Sequence, residues 1–192
     1  KDHRVFCNYG IILKDLGKLK EANESIKKAI EIKPNSFLAH LNHGEVLKDL
    51  GQLKKAEISI RKSIALNPTY AISYSNLGWI LKEVGKVEEA EISIRKSIEL
   101  NPNYVIAQSN LGMILRENGK SEEAETCLRK VIEIKPDLAD AHLNLSNILT
   151  DLGKSHEAES YLRKAIELNP DYGEAYNNLG NLLRSFGKLK EA

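Results

Sequence analysis

Cysteine is nearly absent from this sequence, with two, Cys7 and Cys127, in 192 residues. They stand several of the repeats described below apart, beyond disulfide reach, and are read as reduced thiols in a cytoplasmic setting. Charge of one sign is absent too: 28 basic residues face 27 acidic ones, for a net charge of +1. That excludes a global basic field for nucleic acid, and no Lys/Arg run with interleaved aromatics appears. No apolar run is long enough for a membrane-spanning helix, and Lys1–Gly10 do not read as a signal peptide. Phosphate-binding Gly-rich loops and nucleophile elbows are missing, so no cofactor and no catalytic residue is expected. His40 and His43 share a helical turn, but no Cys or carboxylate completes a metal site, and packed histidines are expected. The sequons at Asn23 and Asn144 fall inside expected helices and are read as coincidence.

What the sequence does contain is a period. Its five prolines are Pro34, Pro68, Pro102, Pro136 and Pro170, one every 34 residues. Gly17, Gly51, Gly85, Gly119, Gly153 and Gly187 keep the same interval, as do Ala22, Ala56, Ala90, Ala124, Ala158 and Ala192. Each unit holds two amphipathic segments. In the third, helix A is expected over 71–84, stopped by Gly85, and helix B over 87–100, stopped by Asn101-Pro102. Strand-like alternation is absent. Helix A buries a face that includes Tyr74, Leu77, Gly78 and Leu81; helix B contributes Ala90, Ile94, Ser97 and Ile98. Gly78 has equivalents at Gly10, Gly44, Gly112 and Gly180, with Ser146 in the fifth unit. Mid-helix glycine costs about 1 kcal/mol, so close approach of helix B is expected there.

A 34-residue helix–turn–helix with Leu-Gly in helix A, Ala early in helix B and Pro at the end resembles the tetratricopeptide-repeat (TPR) family. The match runs over nearly the whole chain. It implies an all-α fold, a right-handed α-solenoid (superhelix) with helix A lining its concave side. Full repeats are expected at 3–36, 37–70, 71–104, 105–138 and 139–172, with a partial sixth at 173–192, in one continuous solenoid domain. The family's aromatic near the start of helix A is replaced by His40, Gln108 and His142. The end faces lack polar caps, which suggests a longer array or end-to-end self-association.

On the open side of helix A, Asn8, Asn42, Asn76, Asn110, Asn144 and Asn178 recur in every repeat. The row resembles the asparagine ladder of O-linked N-acetylglucosamine transferases, which implies a grip on a ligand's main chain. Recent duplication, with Asn bridging neighbouring helices, is the other reading. Ile72, Trp79, Ile106 and Met113 are expected to contact the ligand, with Leu38, Ile11, Leu41 and Leu143 nearby. Ser75 is expected on the same open side. The rows Lys14, Lys48, Lys82, Arg116 and Asp15, Asp49, Glu83, Glu117, Asp151 are expected to pair between repeats at little energy each. The positions of a two-carboxylate clamp carry no lysine. The expected function is a non-catalytic scaffold for a protein or extended peptide. The recruiting arm of a larger enzyme, such as a glycosyltransferase, and a self-associating array are the alternatives.

Overall fold

The computed structural model describes residues 2–187; the remainder of the expected sixth repeat, with Ala192, lies outside them. The described residues form eleven helices and no strand. They fall in two compact units, Lys1–Tyr104 and Val105–Ala192. The first contains α1 (His3–Asp15), α2 (Leu19–Ile32), α3 (Phe37–Asp49), α4 (Leu53–Leu66), α5 (Ala71–Glu83) and α6 (Val87–Leu100). The second contains α7 (Val105–Glu117), α8 (Ser121–Ile134), α9 (Ala139–Asp151), α10 (Ser155–Leu168) and α11 (Gly173–Ser185). Odd helices are the helix A segments and even helices the helix B segments.

Two kinds of turn make the hairpins. After each odd helix a glycine takes a positive φ, 74° at Gly17 and 80° at Gly85. The turn then closes with two backbone bonds, Gly17 N–H to Lys14 C=O (2.9 Å) and Lys18 N–H to Leu13 C=O (2.8 Å). These satisfy carbonyls that the helix end leaves orphaned. After α4 and α6 the residue before proline is extended, with Asn67 at φ −143° and ψ 90°, because the proline ring crowds helical geometry there. The Asn67 side chain then accepts from the Thr69 N–H at 3.2 Å and turns the chain into α5.

Each hairpin zips through its small residues. A Cβ on Gly10, Gly44 or Gly78 would collide with Ile26, Ile60 or Ile94 on the paired even helix, and one on Gly112 with Leu128. The isoleucines and Leu128 are fully buried. Ser146 is the exception; it faces a hairpin whose even helix carries Leu162 and donates its hydroxyl to Leu143 C=O at 2.6 Å. Serines tie the helices further: Ser97 Oγ donates to Ala71 C=O at 2.7 Å within the α5–α6 hairpin, and a buried Ser63–Ser73 bond of 3.0 Å joins α4 to α5 of the next hairpin.

Within each unit, successive odd helices touch: α1 with α3, α3 with α5, α7 with α9. Successive even helices have no comparable backbone contact; long side chains bridge α4 to α6 and α8 to α10. Three residues expected on the open side are buried instead: Leu41, Ser75 and Leu143. Their register is that of Cys7, which packs on Ala29 and Ala39. At Cys7 the following hairpin, through Ala39, covers that position, which a single-helix projection cannot show.

Candidate functional site

The exposed odd-helix face carries the asparagine row, and the structure divides that row. Among the described residues, Asn8, Asn42 and Asn144 have no side-chain hydrogen-bond partner, whereas Asn76 and Asn178 are engaged. Asn76 Nδ2 donates to Glu45 Oε1 at 2.8 Å, and Asn178 Nδ2 to Asn147 Oδ1 at 2.9 Å. Both bonds reach back 31 residues to the preceding odd helix. The same step places Asn42 against the position of Ile11, and Asn144 against that of Met113. An apolar residue accepts nothing, so these amides keep their full capacity of donors and acceptors. Asn76 and Asn178 thus bridge to the preceding odd helix, and Asn42 and Asn144 do not.

The 31-residue step organises more of this face. Lys14 Nζ meets Glu45 Oε2 at 3.0 Å, so Glu45 is gripped from both neighbouring odd helices, by Lys14 and Asn76. Burial works against the Lys14 charge, but its hydrogen bond and proximity to Glu45 outweigh that and hold its pKa above the ordinary value. Lys48 Nζ lies 4.9 Å from the centroid of the Trp79 ring. Trp79 is half-buried, as is Ile72; Ile106 and Met113 are exposed. The rows of charge pair as expected at Arg116 and Asp151, 2.6 Å apart, but Lys14 takes Glu45 rather than Asp49. In the second unit a cavity of about 340 Å³ opens on this face, with Arg116, Asn147, Asn178 and Asn181 among its lining.

Two features escaped sequence reasoning. His40, Tyr74 and His142 occupy one register, and each directs a polar ring atom at a proline carbonyl six residues back: Nε2 to Pro34 (2.9 Å), Oη to Pro68 (3.2 Å) and Nε2 to Pro136 (2.8 Å). The position needs a donor to tie the inter-repeat turn to the next helix, which explains why histidine replaces the family's aromatic. On the even-helix side, Arg61 bridges Glu57 (2.9 Å) and Glu89 (3.1 Å) while Lys86 reaches Glu57 (3.2 Å). The second unit repeats this network with Arg129, Glu125, Glu157 and Lys154. A search of the sequence for charges at a 28–29-residue spacing finds both.

His43 is held differently from His40. Its Nδ1 lies 2.9 Å from Ser59 Oγ and its Nε2 3.0 Å from Asn23 Oδ1. Burial, with the charges of Lys27 and His40, pushes its pKa down to about 4. Cys7 is buried and burial raises its thiol pKa, while Cys127 is half-buried and in no disulfide.

Stacked helix hairpins, with no strand among the described residues, make this an α-solenoid. Family models described as tetratricopeptide repeat match residues 3–36 and 38–70, 60–92 and 161–192, and 103–171. The chain belongs to the tetratricopeptide-repeat family. No curated protein matches it. Among solved structures it is similar to YrrB, described as a TPR protein with an unusual peptide-binding site. That match is 25% identical over 90% of this chain and 89% of that one, with a TM-score of 0.71. It is also similar to MamA, 27% identical over 84% of this chain and 94% of that one, TM-score 0.74. Pseudomonas aeruginosa pilF shares the fold at a TM-score of 0.89 and 22% identity, over 99% of this chain and 86% of that one. None of the described helices is long and apolar enough to cross a membrane.

Proposed function

We propose that this chain is a non-catalytic scaffold that holds an extended peptide against its odd-helix face. One observation carries the reading: Asn8, Asn42 and Asn144 present amides without partners beside exposed apolar side chains. Ile11 and Leu38 are 37% and 44% exposed in the first unit, Met113 and Ile106 37% and 55% in the second. A peptide backbone offers alternating N–H and C=O groups, and an amide side chain satisfies one of each. The apolar neighbours then select the ligand's side chains. Contact between successive odd helices, without its counterpart between even helices, fits a face on the inside of a curve. The peptide-binding site of YrrB supports the class of ligand.

Asn42 and Asn144 lead the set of main-chain contacts, Asn76 and Asn178 serve first as ties between hairpins, and Trp79 binds only by displacing Lys48. A selection of random peptides displayed on phage tests this. Peptides enriched on the chain are expected to lose about tenfold in affinity for Asn42→Ala with Asn144→Ala, about two lost hydrogen bonds. Unchanged affinity for that variant rules the odd-helix amides out as the grip.

A further inference from the structure

The even-helix side carries a second feature, at the junction of the first two hairpins. Where Glu57, Arg61, Lys86 and Glu89 seal one gap between successive even helices, the equivalent residues one repeat earlier are Asn23, Lys27, Gln52 and Lys55. Both acids are gone and the positive charge stays. Lys27 and Lys62 have no hydrogen bond or ion pair among the described residues, and Lys55 Nζ meets only the Gln52 side chain, at 2.9 Å. Asn23 accepts from His43 instead of from a cation. The gap stays open as two cavities of about 250 and 410 Å³ that share Lys27, His43, Ile58 and Ser59. Ile58 is 70% exposed between them, and Glu31 is the one acid on their lining.

We propose that this gap docks an acidic segment of a partner polypeptide, with an apolar side chain on Ile58 and flanking carboxylates on Lys27, Lys55 and Lys62. The internal comparison supplies the complement. At the α4–α6 and α8–α10 junctions a carboxylate, Glu57 or Glu125, stands where Asn23 stands and a second, Glu89 or Glu157, where Lys55 stands, and each meets an arginine. A ligand carboxylate does here what Glu57 and Glu89 do one repeat later. The larger cavity is mostly apolar, lined by Ile30 and Ile58 with His40 and His43 beside them, so a purely ionic ligand leaves it unfilled. This surface is separate from the odd-helix face and does not rest on the reading given for it.

The probe is a fluorescein-labelled acetyl-Glu-Glu-Leu-Glu-Glu-amide peptide, followed by anisotropy, with a Gln-for-Glu peptide as control. Saturable binding is expected for the acidic peptide only, weakening as salt screens the charges. Lys27→Glu with Lys55→Glu is expected to lose about tenfold or more, as reversed charges at an interface do. Asn23→Glu with Lys55→Glu rebuilds the sealing network; it is expected to lose binding while its melting temperature rises, which separates closure from misfolding. Asn42→Ala with Asn144→Ala is expected to bind the peptide unchanged. Full binding by the two lysine-site variants, equal binding of the neutral peptide, or no saturable binding by the parent chain overturns the proposal.

Discussion

In the first unit Lys14, Glu45 and Asn76 form a bonded line across three odd helices; three repeats further on, Arg116, Asn147 and Asn178 occupy the same positions. The helices beneath are alike, and the difference is the central residue. Glu45 has two acceptor oxygens, and Lys14 and Asn76 each take one. Asn147 offers a single acceptor, which Asn178 uses, and it has no charge to hold Arg116. The guanidinium turns to Asp151 instead, and a polar cavity remains between these side chains. One carboxylate-to-amide exchange thus sets whether this face is tied across or left open.

The sharpest way to break the comparison is to exchange residues between units. Gly78→Ser places the residue of the fifth repeat against Ile94, which leaves no room for a Cβ. It is expected to destabilise the chain by about 1–3 kcal/mol, the usual cost of overpacking, read from urea unfolding. Ser146→Gly, the reverse exchange, is expected to cost about 1 kcal/mol, from mid-helix glycine alone. Next comes Glu45→Asn, which removes the charge that holds Lys14. A half-buried pair of this kind is worth about 1 kcal/mol or less after discounting for solvent, and the loss is expected to shrink as salt rises. Asn147→Glu is expected to draw Arg116 off Asp151 and fill part of the cavity.

Smaller effects follow from charge alone. His43, with a pKa near 4 in the fold against 6.5 ordinarily, takes up its proton more readily in the unfolded chain. Its contribution is complete above pH 6.5, is lost progressively as pH falls towards 4, and changes no further below that. The positions equivalent to His43 in the second unit are Leu111, Leu145 and Leu179. His43→Leu is therefore expected to flatten the dependence of melting temperature on pH across that window. The smallest effect is expected for Arg61→Ala against Arg129→Ala. In each network a half-buried glutamate, Glu57 or Glu125, is surrounded by cations that reach solvent, so each change is expected to cost about 1 kcal/mol or less and to fade in salt.

The hairpins were legible because their signals are local. Gly at positive φ and the extended residue before proline act within a few residues, and all the glycine stops between Gly17 and Gly153 lie where the period puts them. Hairpin packing was legible too, since Gly78 against Ile94 follows from a small residue facing a large one at constant spacing. The odd-helix face was legible only in part. A helical projection puts Asn76 and Ser75 on the open side, but it cannot show that Ser75 is buried or that Glu45 captures Asn76. That coupling lies in the 31-residue step between successive odd helices, not in the 34-residue repeat. The engaged and free amides are separated by a residue in a different repeat, so identical asparagines read alike in the sequence.

The most direct test is to follow the side-chain amide NMR signals of the six asparagines while titrating a peptide selected on this chain. Large shifts at Asn8, Asn42 and Asn144, with smaller ones at Asn76 and Asn178, are the predicted result. Shifts confined to Asn23 and the even helices, with the asparagine row silent, would contradict the odd-helix face as the binding surface.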